Sequence, residues 1–339
     1  MSTLDHRPDV SFVIAAYNAG ETIGRAVASA LAQTGVTMEI VIIDDCSTDG
    51  TRELVRSYAE ADERVRLIAR EKNGGPAAAR NAGLEAARGR WIAILDSDDT
   101  IHPARLLTML DSAKASEAQI VVDNIDVIPL EGGSPQTMFP VEELKRRPVM
   151  TLADFIGSNV IFQSTFNFGY MKPVFDREFL MRHQLRFDET LRVGEDYLLL
   201  ASALASGGRC AVVPETGYVY HLRKGSISRV LEQYHLDAML ASDRGFLARY
   251  ALDAEAMAAQ RRRTRSIMEA SAFLTLVEEI KKGSVGGFLK TAIENPRALM
   301  HLRMPIAVRM RRLAKAFRRQ LKSDRIGRGR PPERTKEWI

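Results

Sequence analysis

The chain has 339 residues, of which 45% are hydrophobic and 27% charged, a composition typical of soluble globular proteins and long enough for about two domains. Two cysteines, Cys46 and Cys210, exclude a disulfide framework and a four-cysteine zinc site, and favour a reducing compartment. No run approaches about 18 uninterrupted apolar residues, so we expect no membrane-spanning helix. The N-terminus also lacks a signal-peptide pattern.

Positive charge is concentrated near the C-terminal end. The formal net charge is +5, yet residues 297–339 contain 14 Lys and Arg against three acids, so the preceding part is net acidic. A nucleic-acid-binding protein would carry basic residues across its globular surface, which argues against that class. The distribution instead predicts an anionic partner for the tail alone.

Strands and helices alternate through the first 115 residues. Apolar runs predict strands at 10–16, 39–43, 64–69 and 91–95, each followed by a helical pattern. This alternation predicts a mostly parallel α/β sheet flanked by helices, with right-handed crossovers. Later strands are predicted at 119–128, 210–213 and 217–221, and residues beyond 228 have a helical pattern.

Polar residues follow three of the predicted strands, and ligands of parallel sheets bind beyond the carboxyl ends of strands. We therefore expect Tyr17, Asp45 and the run Asp96-Ser97-Asp98-Asp99 to share one edge of the sheet. Three carboxylates within four positions repel one another, and a divalent cation such as Mg²⁺ or Mn²⁺ is a reason to collect them. The alternative is that Asp98 or Asp99 caps a helix that runs from Pro103.

Five motifs, in order between residues 10 and 200, resemble the family 2 glycosyltransferases of the GT-A fold. They are Ser11–Asn18, Ile42–Thr51, Ala79–Gly83, Leu95–Asp99 and Gly194–Asp196. The resemblance implies a Rossmann-like α/β domain that transfers a sugar from a nucleotide-sugar with inversion at the anomeric carbon. The region 10–41 is also similar to the succinoglycan-type exopolysaccharide glycosyltransferases of rhizobia.

The resemblance implies roles for residues that would hold the nucleotide. Asp45 matches the family's uracil-binding aspartate, and Ala15 and Tyr17 match positions that border the base. Asp44 directly precedes Asp45 in the same motif, and the alternative to a role at the nucleotide is that Asp44 caps the loop. Arg80 matches a frequent base or phosphate contact, and the alternative is a surface arginine on an Ala-rich helix.

Within the acidic run, Asp96 resembles the ribose-contacting residue and Asp98 the ligand of Mg²⁺ or Mn²⁺. The cation would bridge the diphosphate and neutralise charge that develops on the leaving group. Asp99 is either an acid behind the metal or the helix cap, and the cap is favoured. His221 and Arg223 are predicted to contact the diphosphate or the metal, with His221 as a candidate metal ligand, and the alternative is that both are ordinary surface residues.

Asp196 in Gly194-Glu195-Asp196, which opens a helix to Ala205, matches the family's catalytic base. The charge of Glu195 is expected to raise the pKa of Asp196, while the positive end of the helix opposes that rise. A plain capping acid is the alternative. Residues 225–228 are predicted to form a flexible flap over the donor.

The basic tail has an amphipathic pattern at 304–322, where apolar residues recur every three or four positions opposite a basic face. Such a helix can lie in an anionic membrane surface, and the alternative is that it packs on the protein body. Residues 325–336 are predicted to be disordered.

Together these features predict a GT-A domain at 1–228, a helical extension at 229–303 and a basic helix with its tail at 304–339. We expect an inverting, metal-dependent hexosyltransferase that uses a UDP-sugar, with glucose as the expected sugar. The expected acceptor is a lipid-linked oligosaccharide in exopolysaccharide or other surface polysaccharide synthesis. The expected location is cytoplasmic, in peripheral contact with the inner face of the cell membrane.

Two enzyme classes compete with this interpretation. A metal-dependent nucleotidyltransferase would need a Gly-rich phosphate loop with a basic residue directly after the first strand, and Tyr17–Gly20 is not one. A dinucleotide-binding oxidoreductase would need a G-x-G-x-x-G motif, which the same position lacks.

Overall fold

The computed structural model describes residues 7–130, 133–223 and 232–302. The chain divides into two compact units, Met1–Met268 and Glu269–Ile339. The domain boundaries expected after residues 228 and 303 remain predictions. The flap at 225–228, the amphipathic helix at 304–322 and the tail at 325–336 lie outside the described residues.

The described residues of the first unit form one mixed sheet. Its strands are β1 Val10–Ala16, β2 Met38–Asp44, β3 Val65–Ala69, β4 Trp91–Ile94, β5 Thr100–Ile101, β6 Ile120–Ile128, β7 Gln136–Thr137, β8 Val149–Met150, β9 Val174–Asp176 and β10 Cys210–His221. The strand order is β3-β2-β1-β4-β9-β6-β10-β5, with β7 on β6 and β8 on β10. The pairs β1–β2, β1–β4, β2–β3 and β6–β10 are parallel and the other pairs of described strands are antiparallel, so the predicted α/β sheet is confirmed, as a mixed one.

Helices flank this sheet. The described helices of the first unit are α1 Ile23–Leu31, α2 Thr51–Ala61, α3 Pro76–Ala86, α4 Arg105–Ser116, α5 Val141–Lys145, α6 Leu152–Ser158, α7 Arg177–Arg182, α8 Glu195–Ala205 and α9 Gln233–Arg249. Helix α10, Ala254–Lys282, begins in the first unit and ends in the second, where α11 Val285–Glu294 and α12 Ala298–His301 follow. Strands β1, β2 and β4 are buried almost throughout, because continuous apolar runs suit strands covered on both faces.

The sheet differs from the sequence prediction in its short strands and in β10. The short strands β5, β7, β8 and β9 were not predicted; β9 has only three residues and lies antiparallel between β4 and β6. The two short strands predicted at 210–213 and 217–221 are one strand, β10, whose register with β6 shifts between Val213 and Tyr218. Pro214 lies in this irregular stretch, and proline has no N–H to donate to a ladder, so the pattern reads as an interruption.

The described part of the second unit is helical. Ala272 and Leu276 on α10 pack with Ala298 of α12 in a small core, with Phe288 of α11 against it. The other face of α11 leaves Val285, Leu289 and Ile293 exposed. In neither unit is a described helix both long and apolar enough to span a bilayer.

Candidate active site

A cavity of about 990 Å³ lies where the parallel strands end. Its wall follows the strand order: Asp45 after β2, Tyr17 after β1, Asp96 after β4, Lys172 just before β9, and Tyr220 in β10. We call the side with Ala15, Tyr17, Asp45 and Gly75 the β2 end, and the side with Tyr170 and Tyr220 the β10 end. The predicted convergence of polar residues on one edge is therefore confirmed.

At the β2 end, loops after neighbouring strands hold the acids in place. Both carboxylate oxygens of Asp45 accept hydrogen bonds from the loop before α3: Oδ2 lies 2.7 Å from the Gly75 N–H, and Arg70 pairs with Oδ1. Gly75 has a φ of +86°, a left-handed conformation that favours glycine. Asp44 is fully buried and accepts from the Ser47 N–H and from Arg52, so it closes its own loop. Tyr17, by contrast, is 53% exposed in the cavity wall.

The centre of the wall is a group of five charged side chains that we call the Arg80 cluster: Arg80, Lys172, Asp96, Glu195 and Asp196. Arg80 Nη2 lies 2.8 Å from Asp96 Oδ1, and its Nη1 lies 2.8 Å from Glu195 Oε1 and 3.2 Å from Asp196 Oδ1. Lys172 Nζ lies 2.8 Å from Asp96 Oδ2 and 2.7 Å from Asp196 Oδ2. Two cations are thus shared among three carboxylates. The alternative of a surface arginine at Arg80 is wrong, because the residue is only 7% exposed.

The cluster lowers the pKa of Asp96 and Asp196, whereas the pKa of Glu195 is raised. Burial by itself would raise the pKa of Asp196, but the charges of Arg80 and Lys172 outweigh it and hold that pKa below the usual value. The pKa of Asp96 is lowered in the same way against burial, by Lys172 and Arg80. Burial and the charge of Asp196 raise the pKa of Glu195 instead. A net rise in the pKa of Asp196, which the charge of Glu195 was expected to favour, is not found, because two cations contact Asp196.

Asp99 does not cap the helix after it, so that prediction is wrong. Helix α4 begins after Ala104, which makes no side-chain cap. Asp99 is fully buried, and its oxygens accept from the Tyr218 hydroxyl at 2.8 Å and the His221 N–H at 2.9 Å. The Tyr218 oxygen also accepts from the Asp96 N–H at 3.2 Å, so β10 fixes both ends of the acidic run. Burial and the charge of Asp96 raise the pKa of Asp99 to about 8.

Asp98 and His221, the predicted metal ligands, have different positions. Asp98 lines the cavity, where burial and the charge of Asp96 raise its pKa against the effect of Arg223, 3.6 Å away. A positive ion would stabilise this carboxylate, so Asp98 fits a hard divalent cation. His221 does not line the cavity; its Nε2 lies 3.0 Å from Thr100 Oγ1. Burial and the charges of Arg25 and Arg223 lower the pKa of His221.

The described residues contain no group of three His, Cys, Asp or Glu side chains placed to hold a metal ion. A cation at Asp98 would therefore complete its coordination with phosphate and water oxygens. Mg²⁺ sites commonly use one or two carboxylates in this manner.

Lys172 and Tyr218 were not predicted as site residues. No motif marks Lys172, which lies in an aromatic-rich stretch, and only the pairing of β9 with β4 brings it beside Asp96. Tyr218 reads as one of several aromatic residues in a late strand. The one sequence signal at either residue is a polar group within an otherwise apolar or aromatic stretch, and the strand order is needed to place that group beside the acidic run.

Comparison with known proteins places the chain in a family. The model of glycosyl transferase family 2 matches residues 11–179. The chain is 61% identical over 314 residues to the succinoglycan biosynthesis protein ExoO of Rhizobium meliloti, a match that covers 93% of this chain and 89% of that protein. The chain belongs to glycosyl transferase family 2. It is a glycosyltransferase similar to the succinoglycan-type proteins of rhizobia, as the resemblance implied.

Solved structures share the fold of this family 2 glycosyltransferase. S. aureus TarS in complex with UDP-GlcNAc matches with a TM-score of 0.62 and 19% identity, over 86% of this chain and 81% of that one. The mannosyltransferase PcManGT of Pyrobaculum calidifontis, in complex with GDP-Man and Mn²⁺, matches with a TM-score of 0.56 and 18% identity, over 87% and 81%. These two proteins hold different nucleotides in one fold, so the GT-A-like fold is confirmed and does not itself name the donor.

Proposed function

We propose that this glycosyltransferase transfers a sugar, with glucose as the expected one, from a UDP-sugar to a hydroxyl of a lipid-linked oligosaccharide, with inversion, in surface polysaccharide synthesis. The observation that carries the proposal is one cavity wall that runs from Asp45 through Asp96 to Asp196. The name of its relative ExoO supports polysaccharide synthesis as the process. The UDP-GlcNAc complex of TarS supports a uridine nucleotide.

The nucleotide would bind at the β2 end of the cavity. Three donors already bond to the Asp45 carboxylate, the Gly74 and Gly75 N–H groups and Arg70, and a carboxylate offers about four acceptor sites, so one would remain for a base N–H. Ala15 and the exposed ring of Tyr17 would border the base, and Asp96 would contact the ribose. Arg80 would act behind Asp96, as the residue that holds it in position.

Asp196 would act as the general base. As the acceptor oxygen bonds to the anomeric carbon, the bond from that carbon to the diphosphate oxygen breaks, UDP leaves with the electron pair, and Asp196 takes the hydroxyl proton. A low pKa makes a carboxylate a weak base, so the contact with Lys172 is important. A bound diphosphate gives Lys172 and Arg80 a second anionic partner, which would weaken their hold on Asp196 and strengthen it as a base.

Asp98 is the residue proposed to hold Mg²⁺ or Mn²⁺, with His221 as a further candidate. A bound divalent cation supplies Lewis-acid stabilisation of the leaving diphosphate. We expect Asp98→Ala to abolish the stimulation of UDP-glucose turnover by MnCl₂ while the circular dichroism spectrum stays that of wild type. Full metal-stimulated activity in this variant would remove Asp98 from the metal site.

Product stereochemistry tests the central proposal. Wild-type protein, UDP-glucose and MnCl₂ are incubated with a glycoside acceptor, and the new linkage is read from the anomeric proton coupling by NMR. The α-linked donor should give a β-linked product. A retained α-linkage would contradict inversion, and failure to bind UDP in calorimetry would contradict the choice of donor.

Peripheral membrane contact is proposed for the second unit. Val285, Leu289 and Ile293 recur every fourth residue on α11 and are 70%, 53% and 79% exposed. The basic stretch from 303 onward follows them in the chain, and an apolar helix face combined with basic residues suits anionic lipid. We expect either glutamine at all three α11 positions or removal of 304–339 to reduce sedimentation with phosphatidylglycerol vesicles. Unchanged sedimentation of both variants would refute membrane contact.

A further inference from the structure

The β10 end of the cavity has no role in donor binding as proposed above. In the strand order, β4, β9 and β6 lie between β10 and the strands β1 and β2, whose ends carry the residues that would hold the nucleotide. The cavity of about 990 Å³ is at the upper end of the range for small-molecule sites, about 300–1,000 Å³, so it has room for a second ligand.

Two tyrosine rings dominate the wall at the β10 end. Tyr170 is 44% exposed, and its ring centroid lies 6.3 Å from that of Tyr220, with the planes inclined at 47°. An exposed aromatic face presents a negative quadrupole that attracts the C–H groups on the apolar face of a pyranose ring. The tyrosine hydroxyls can in addition bond to sugar hydroxyls at the ring edge.

Side-chain contacts hold the backbone around Tyr170 in place. Tyr170 ends a short 3-10 helix, Phe168–Tyr170, in which buried Phe168 packs 5.4 Å from Phe139, centroid to centroid. Asn167 Oδ1 accepts from the Gly169 N–H at 2.8 Å. A Cβ at Gly169 would collide with the side-chain oxygens of Asn159 and Asn167, so a larger residue there would displace these amides.

Amide groups complete this end of the cavity. Asn159 and Asn167 both line it, and the Asn159 Nδ2 donates to the Phe155 carbonyl at 2.8 Å, which fixes its orientation. Asn167 is exposed, and its Nδ2 has no hydrogen-bond partner among the residues that the structure describes. Aromatic faces beside oriented amides match the mixed apolar and hydroxyl surface of a sugar.

The position of the two tyrosine rings relative to Asp196 indicates whether they would hold the donor sugar or the acceptor sugar. Tyr170 lies two residues before Lys172, whose Nζ is 2.7 Å from Asp196 Oδ2. A ring seated on the tyrosines would approach Asp196 from the β10 side, whereas the nucleotide would approach from the β2 side. An inverting displacement needs the attacking hydroxyl opposite the leaving group, so the two ends suit acceptor and donor respectively.

We propose that Tyr170 and Tyr220, with Asn159 and Asn167, form the subsite for the acceptor sugar, whose ring stacks on the tyrosine pair. This inference rests on the proposed function and assigns the carbohydrate part of the acceptor, not its lipid, to the β10 end.

Steady-state kinetics test the subsite, with the KM for the donor and the KM for the acceptor measured separately. Wild type, Tyr170→Ala and Tyr220→Ala are assayed with UDP-glucose and MnCl₂, with octyl β-D-glucopyranoside as the acceptor probe. Lost stacking and contact area should raise the KM for the probe by about tenfold or more. The KM for UDP-glucose and its hydrolysis rate without acceptor should stay within about twofold. Tyr170→Phe keeps the ring and should retain most acceptor affinity.

Two tyrosines serve as matched controls. Tyr17→Ala, at the β2 end, should raise the KM for UDP-glucose and leave that for the probe unchanged. Tyr234, on α9, is 55% exposed and does not line the cavity, so Tyr234→Ala should change neither.

Each opposing result has one meaning. The acceptor subsite is overturned if the KM for the probe is unchanged in Tyr170→Ala and in Tyr220→Ala. It is also overturned if the KM for the probe and the KM for UDP-glucose rise equally. Wild type that hydrolyses UDP-glucose without acceleration by the probe also overturns it. Wild type that neither binds nor hydrolyses UDP-glucose refutes the proposed function instead.

Discussion

The pair Arg105–Asp123 and the Arg80 cluster are both buried sets of charges in the first unit. They differ in whether the numbers of positive and negative side chains are equal. Arg105 Nε and Nη2 bond to the two oxygens of Asp123 at 2.7 and 2.9 Å, and the two side chains are 0% and 1% exposed. One cation meets one anion away from solvent. In the Arg80 cluster two cations serve three carboxylates, and the side chains are 8% to 22% exposed in the cavity wall.

This difference separates a structural pair from a reactive site. Arg105 also bonds to the Lys172 carbonyl at 2.7 Å and lies over the Tyr218 ring at 5.2 Å, so the balanced pair positions the backbone on which the cluster depends. Breaking a buried, balanced pair leaves one uncompensated charge and costs mainly stability. The unbalanced cluster can exchange partners with a charged ligand. Identical Asp→Asn changes in the two places should therefore have different consequences.

The largest effect is expected for Asp196→Asn. The amide has the size of the carboxylate but cannot take a proton, so kcat for transfer should fall by about 10²- to 10⁴-fold. UDP affinity, measured by calorimetry, should stay within a few-fold of wild type. Equal losses in UDP affinity and kcat would assign Asp196 to donor binding or to structure.

Asp123→Asn is the matched change in the balanced pair. Arg105 would keep its buried charge without a counter-charge, so the free energy of unfolding should fall by about 3–5 kcal/mol in urea denaturation. The kcat of the folded protein should fall far less than in Asp196→Asn. A loss of stability no greater than that of Asp196→Asn would remove the distinction between the two regions.

Lys172→Met tests, through the pH dependence of kcat/KM, whether the cluster controls the protonation of Asp196. Burial raises the pKa of Asp196, and the charges of Arg80 and Lys172 lower it further than burial raises it. Removal of Lys172 should therefore move the acid limb of the kcat/KM profile to higher pH. Lys145→Met breaks an exposed pair with Glu142 and should leave the profile unchanged. An unmoved acid limb in Lys172→Met would show that Lys172 does not control Asp196.

The smallest effect is expected at Glu39, in the first half of β2 and outside the cavity wall. Glu39 accepts from the Ser11 hydroxyl at 2.6 Å and pairs with Arg66 at 2.9 Å. Burial opposes these contacts, yet the pKa of Glu39 is lowered from 4.5. Its stabilisation is thus present above about pH 4.5 and is lost as the pH falls through the lower folded value. Glu39→Gln should lower the free energy of unfolding by about 1 kcal/mol at pH 7 and by less at pH 3, and it should leave activity unchanged.

Local patterns in the sequence determined the strands of the first half and the family. The run Val10–Ala16 has the same bounds in pattern and structure, because a strand buried on both faces must be continuously apolar. The convergence of Tyr17, Asp45 and Asp96 also followed from sequence, since parallel strands put their carboxyl ends at one edge.

The tertiary structure alone decided which charges meet. Lys172 contacts Asp96 and Asp196 only because β9 pairs with β4 across about 80 residues of chain, and no local pattern encodes that pairing. The same holds for Asp99, whose place in the acidic run suggested a helix cap until β10 supplied Tyr218 and the His221 N–H as its partners. The acidic run that the sequence marks is one side of the site, and the residues that set its protonation come from helix α3, the stretch before β9 and strand β10.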